Sequence, residues 1–278
     1  MKNYNPRIIP VVLHKDGRIV KSRNFNFFQS VGDPFSLVKR YNSWNLDELI
    51  YLNISDNKSN FFYEEKNITT SSTASRKTQK SKENNKNIFK FLKQLSSQCR
   101  MPLTYGGGIK TINTARKILK SGADKFAINT IAIENPNFIK HCSKEFGSQS
   151  VVVSIDCKKI SGKYTIFYDN GRKKSKKNLV YWIKEIQKLG AGEILMNSID
   201  RDGTGLGFDI KLLKILVKYS NIPIIFMGGA KNKEDFKNIL KFKPSGIAAA
   251  NIFQFTELSY KNIKEYLHKF NKNIRYEK

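Results

Sequence analysis

"GGIKTINTARKILKSGADKFAIN" (107–129) and "GGAKNKEDFKNILKFKPSGIAAAN" (228–251) are two versions of one unit, half a chain apart. Each starts on paired glycines, continues through a helical pattern containing Ile-Leu-Lys, and closes on a short apolar strand ending in Asn. The second copy has one extra residue. A unit of helix and strand that recurs once per half-chain predicts two equivalent half-barrels.

Working outward from that repeat, short apolar runs predict strands over Ile8–Leu13, Leu49–Ile54, Leu103–Tyr105, Phe126–Asn129, Val151–Asp156, Ile194–Ser198, Ile222–Met227 and Gly246–Ala250. Helical patterns fall between them, near Pro34–Asn42, Asn87–Gln98, Ile112–Ser121, Pro136–Phe146, Leu179–Leu189, Asp209–Val217, Lys233–Phe242 and Thr256–Asn271. Eight strands alternating with eight helices predict an α/β fold, a single-domain (β/α)8 TIM barrel over 1–278. Two segments interrupt the alternation. Residues 55–86, "SDNKSNFFYEEKNITTSSTASRKTQKSKENNK", form a flexible polar insertion after the second strand. "KYTIFYDNGRK" (163–173) reads as a β-hairpin about Asp169-Asn170-Gly171, after the fifth strand.

The net charge of +27 would suit a polyanion, but the lysines are spread along the whole chain among many Asn and Ile. No RNP-type aromatic motif, zinc finger or basic-leucine pattern accompanies them, so no nucleic-acid partner is expected. A small phosphorylated substrate fits the charge. No apolar run approaches the roughly 20 residues needed to span a bilayer, and "MKNYNPR" has no apolar leader region, so no membrane association and a cytoplasmic location are expected. Cys99, Cys142 and Cys157 lack metal-type spacing, and His14, His141 and His268 are scattered. Neither a disulfide framework, a metal nor another cofactor is expected.

Catalytic groups of such barrels come from the C-terminal ends of strands. Asp156 ends "VVVSID", where its carboxylate would stand at the mouth as a general acid or base. "YGGGIK" (105–110) and "MGGA" (227–230) place Gly107, Gly108, Gly228 and Gly229 directly after the third and seventh strands. Backbone amides freed by glycine suit anions, so two such turns suggest two phosphate sites and a bisphosphorylated substrate. "SIDRDGTGLGFD" (198–209) lacks the register of a calcium loop, and is read as presenting Asp202 and backbone amides to a polar ligand. At the opposite end, Arg7, Glu48, Lys125 and Glu193 each precede a strand; as two cations and two anions they could form an ordinary salt-bridged plug in the barrel floor.

Together these segments resemble the cyclase subunit of imidazole glycerol phosphate synthase. "RIIP", "KDGR-VK", "GDP", "DEL", "GGGI", "GADK", "INT", "ENP", "FGSQ-VVVSID", "GAGEIL", "SIDRDGTG-G-D", "PII", "GGA" and "F-F" occur in that family's order over nearly the whole chain outside 55–86. The resemblance implies a heterodimer with a glutaminase subunit docked on the N-terminal face, ammonia passing up the barrel, and cyclisation of the bisphosphate PRFAR to imidazole glycerol phosphate and AICAR. It makes Arg7, Glu48, Lys125 and Glu193 an ammonia gate. Gly107, Gly108, Thr130, Gly203, Gly228 and Gly229 become phosphate-binding positions, while Lys21 and Asn129 join Asp156 as polar active-site positions. It also exposes departures. The family uses two aspartates as acid and base, and the position of the second, at the tip of the first strand, is Leu13. Asn53, Met227, Lys231 and Asn251 depart as well. Two functions follow: a cyclase weakened at Leu13, or an ammonia-conducting adaptor that, with its glutaminase, supplies a sugar amidotransferase making acetamidino sugars for surface polysaccharides.

Overall fold

Eight parallel strands close on themselves, and each of the eight predicted runs supplies one. The computed structural model describes residues 4–56, 88–255 and 259–276. Along the chain its strands are β1 (Arg7–Lys15), β2 (Arg18–Arg23), β3 (Phe27–Gly32), β4 (Leu49–Asn53), β5 (Leu103–Gly106), β6 (Lys125–Ile128), β7 (Val151–Ile160), β8 (Lys163–Tyr168), β9 (Lys173–Lys174), β10 (Glu193–Ser198), β11 (Ile224–Met227) and β12 (Gly246–Ala249). The barrel order is β1-β4-β5-β6-β7-β10-β11-β12, closed by the parallel β12–β1 pairing that sets Ile8 against Ile247. The fold is the predicted (β/α)8 barrel. The predicted 55–86 insertion, apart from Ser55 and Asp56, lies outside the described residues.

Alternation along the strands divides the core in two. On β1, Ile9, Val11 and Leu13 point into the barrel and join Ile50, Ala127, Val152, Leu195, Ile225, Met227 and Ala248 in an inner cluster. Ile8 and Val12 point outward, into the larger core shared with the helices. A period of two with both faces buried is what parallel strands wrapped by helices require. Among the described residues, five helices start at side-chain caps legible in the sequence. Asp33 accepts from the amides of Phe35 and Ser36 ahead of Pro34, and Asn232 and Asp235 form a reciprocal capping box.

Two excursions extend the strands beyond the barrel rim. β7 continues past Asp156 to Ile160 and pairs antiparallel with β8, which pairs in turn with β9 across the predicted Asp169-Asn170-Gly171 turn. The hairpin β1–β2, followed by β3, was not predicted. Its signal is nonetheless in the sequence: Asp16-Gly17 adopts positive φ at both residues, as a two-residue hairpin turn demands. The charges around it make the segment read as a plain turn. The predicted C-terminal helix over Thr256–Asn271 is α-helical over Ser259–His268, preceded by a short helix at Ile252–Phe255.

Candidate functional site: a charged floor and a divided mouth

At the barrel floor, the four charged residues form a closed ring. One Arg7 guanidinium nitrogen donates to Glu48 and another to Glu193, while Lys125 Nζ lies 2.9 Å from Glu193 Oε2 and 3.4 Å from Glu48 Oε1. Thr104 Oγ1 adds a 2.7 Å hydrogen bond to Glu48. The carboxylates are nearly sealed from water, at 2% and 6% side-chain exposure. Burial alone would lower the pKa of Arg7, but the Glu193 and Glu48 carboxylates hold it above its ordinary value. Above the ring, Ile9, Ile50, Ala127, Val152, Leu195, Ile225 and Ala248 line the interior with apolar side chains.

At the other end lie two adjoining cavities. The first, of about 980 Å³, is lined by Asp156, Asn129, Thr130, Gly107, Gly108, Asn53 and Leu13. Asn129 Nδ2 donates to Asp156 Oδ2 at 3.2 Å and to the Ser154 carbonyl at 3.1 Å, which orients the carboxylate. Thr130 Oγ1 accepts from the Asp169 amide at 3.2 Å, tying the β8–β9 turn to the rim. The second cavity, of about 960 Å³, is lined by Lys21, Gly203, Gly228, Gly229, Lys231 and Asn251. Lys21 thus lines the second cavity and not the one that holds Asp156. Ser22, Asp202 and Met227 line both, so one ligand could have an end in each.

Asp202 does not simply project toward a ligand. It is buried, its carboxylate accepts from the Ser22 hydroxyl and the Phe25 backbone, and burial pushes its pKa up against the pull of those two bonds. Its bond to Ser22 joins β2 to the 198–209 loop, while the residue still lines both cavities. Gly203 follows for a steric reason: at φ +66°, a Cβ there would lie 1.9 Å from the Ser22 carbonyl oxygen. Gly107, at φ +111°, would meet the Asn53 carbonyl at 2.2 Å. Gly203→Ala is therefore expected to lower the thermal midpoint, by about 2–4 °C for each kcal/mol lost. Gly162→Ala, with φ +80° but nothing within 4 Å, should cost less, and comparing the two melts isolates the backbone clash.

Leu13 faces inward near the mouth end of β1. It is buried, in register with Leu52 on β4 and Val20 on β2, and packs in the inner cluster with Met227. Leu13 and Asp156 line the same cavity. The sequence reading missed Asn197, which lies between Asp156 on β7 and Met227 on β11 in the strand register. Its signal was its place, two residues beyond Leu195 on an inward-facing row.

A (β/α)8 barrel with an ion-paired floor, an apolar interior and a carboxylate beside glycine-rich turns is laid out as an enzyme subunit working at its C-terminal face. The sequence pattern of the family described as "Histidine biosynthesis protein" matches residues 78–259. The imidazole glycerol phosphate synthase subunit HisF of Campylobacter concisus is 41% identical over 267 residues, 96% of each chain. The proteins of the same name from Sulfolobus acidocaldarius and a Thermotoga species are 40% and 37% identical, over 97% and 98% of this chain and 98% of each of theirs. The chain belongs to the histidine biosynthesis protein family, together with these HisF subunits.

Proposed function

We propose that the chain is the synthase-side barrel of a glutamine-dependent enzyme of the imidazole glycerol phosphate synthase type, a lyase that closes PRFAR into imidazole glycerol phosphate and AICAR for histidine biosynthesis. A glutaminase subunit docks on the N-terminal face and releases ammonia beneath the Arg7–Glu48–Lys125–Glu193 ring. Neutral ammonia then crosses the apolar interior, where an ammonium ion would pay heavily for lost hydration. The substrate's two phosphates rest at Gly107, Gly108 and Thr130 on one side and at Gly203, Gly228 and Gly229 on the other, with Lys21 beside the latter. Asp156, oriented by Asn129, moves protons at the reacting carbon and nitrogen atoms. Leu13 can move none, so the cyclisation is slow.

The observation that carries this reading is the closed ionic ring at the floor of the barrel whose mouth holds Asp156. Ammonia-dependent turnover of PRFAR by the purified chain tests it, and no turnover at saturating ammonia would end the cyclase reading. The glutaminase subunit should form a stable complex with the N-terminal face and hydrolyse glutamine faster when bound. Failure to associate at micromolar concentrations, measured by size exclusion and by glutamate release, would remove the amidotransferase role altogether. Among the described residues no helix is long and apolar enough to cross a membrane, which is compatible with a cytoplasmic complex.

A second reading rests on Leu13 and Met227, which make the mouth layer apolar on two strands. On it the chain conducts ammonia and passes it on, with its glutaminase, to a sugar amidotransferase of surface-polysaccharide (acetamidino sugar) biosynthesis. A chain that conducts ammonia but leaves PRFAR untouched would be that adaptor.

A further inference from the structure

β10 carries one inward row from floor to mouth. Glu193 belongs to the ionic ring, Leu195 to the apolar interior, and Asn197 to the layer at which that interior meets the mouth. Asn197 is 5% exposed, and its Oδ1 is shielded from solvent with no hydrogen-bond partner. Its neighbours in register, the apolar Met227 and the acceptor Asp156, bring no side-chain donor to it. Gly228 adds no side chain there, since a Cβ would stand 3.0 Å from Asn197 Oδ1.

A buried carboxamide oxygen without a donor destabilises the fold, and an apolar residue of similar size would be the more stable choice. A donor that arrives during function would satisfy such an atom. What arrives along this row, on the ammonia-using reading on which this inference rests, is a small neutral molecule with three N–H groups and no need for a counter-charge. We propose that Asn197 is the ammonia-positioning residue of the barrel: Oδ1 accepts an N–H of ammonia as it leaves the apolar interior, so that the nitrogen lone pair is held toward the mouth. No proton is transferred in this step, and the carboxamide stays neutral throughout.

The decisive variant is Asn197→Leu, in the full chain. In turnover of PRFAR with free ammonia, the KM for ammonia should rise roughly tenfold with kcat little changed, as expected when one net hydrogen bond to the bound molecule is removed. The thermal midpoint should hold or rise, because an unsatisfied polar atom is lost from an apolar site. An unchanged KM, or a clear fall in the midpoint, would overturn the proposal, since a residue kept for packing loses stability on substitution. Asn197→Thr, which keeps an acceptor oxygen, should recover part of the ammonia KM. A binding measurement independent of turnover uses ammonium chloride as the probe: the ¹⁵N resonance of the Asn197 carboxamide should move when it is added in alkaline buffer, where neutral ammonia is present, and stay still in acidic buffer. A resonance that moves in a chain unable to use PRFAR would remove the cyclase reading and leave Asn197 in its role. A resonance that stays still in both buffers would remove the role and leave the cyclase reading standing.

Discussion

Leu13→Asp is expected to accelerate ammonia-dependent PRFAR turnover by a factor within roughly 10²–10⁴, the usual worth of one positioned acid or base. The reason is geometric: position 13 faces inward and lines the same cavity as Asp156, so a carboxylate there restores a proton-transfer group without rebuilding the mouth. Its surroundings, Phe28, Leu52 and Met227, are apolar and would raise its pKa, which favours the protonated, donating form. Asn53 and Met227, which line the same cavity, add no acid or base to it, so the gain belongs at the low end of the range. Asp156→Asn should abolish turnover both in the natural chain and in the Leu13→Asp background, while a bound glutaminase keeps hydrolysing glutamine. Steady-state rates of the three variants decide the matter. A natural chain already working at the Leu13→Asp rate would show that Leu13 is no lesion.

Arg7→Met is expected to be among the most destabilising single substitutions in the molecule. It leaves Glu48 and Glu193, both almost sealed from water, with Lys125 as their one remaining ring cation. Removing one partner of a buried ion pair typically costs about 3–5 kcal/mol, because the other is left charged and desolvated. Denaturant melts of the natural chain and the variant measure this loss. Replacing all four ring residues by apolar ones of similar volume should restore most of the stability, yet uncouple glutamine hydrolysis from turnover. If the four-fold variant still couples, the ring is a plug and nothing more.

Much of this was legible in the chain because parallel barrels write themselves in period-two strands and capped helices. The doubled unit at 107–129 and 228–251 became the turns that follow β5 and β11, the helices Ile112–Lys120 and Lys233–Leu240, and the strands β6 and β12, and the ring was visible as four charges each placed just before, or at the start of, a strand. What was hidden is what depends on contact across the mouth. Asp202, read as facing a ligand, lines both cavities and is also tied to Ser22, 180 residues away in sequence. Lys21 fell on the far side of the shared wall because an unpredicted hairpin turns β2 back along β1. Asn197 carries no motif at all, and only the alternation of β10 together with the missing partner of its buried oxygen makes it conspicuous.

The steric reason for Gly107 and Gly203 has a bearing on how such a barrel changes over generations. Both glycines are demanded by the approach of one backbone to another, at Asn53 and at Ser22, whether or not an anion ever binds. Selection for a folded barrel alone would keep them. The mouth side chains are under no such hold: Leu13 fills its place by simple packing. A lineage that stopped needing its reaction would therefore retain these glycine turns long after the side chains of its mouth had drifted, and the turns would go on advertising an activity that had been lost.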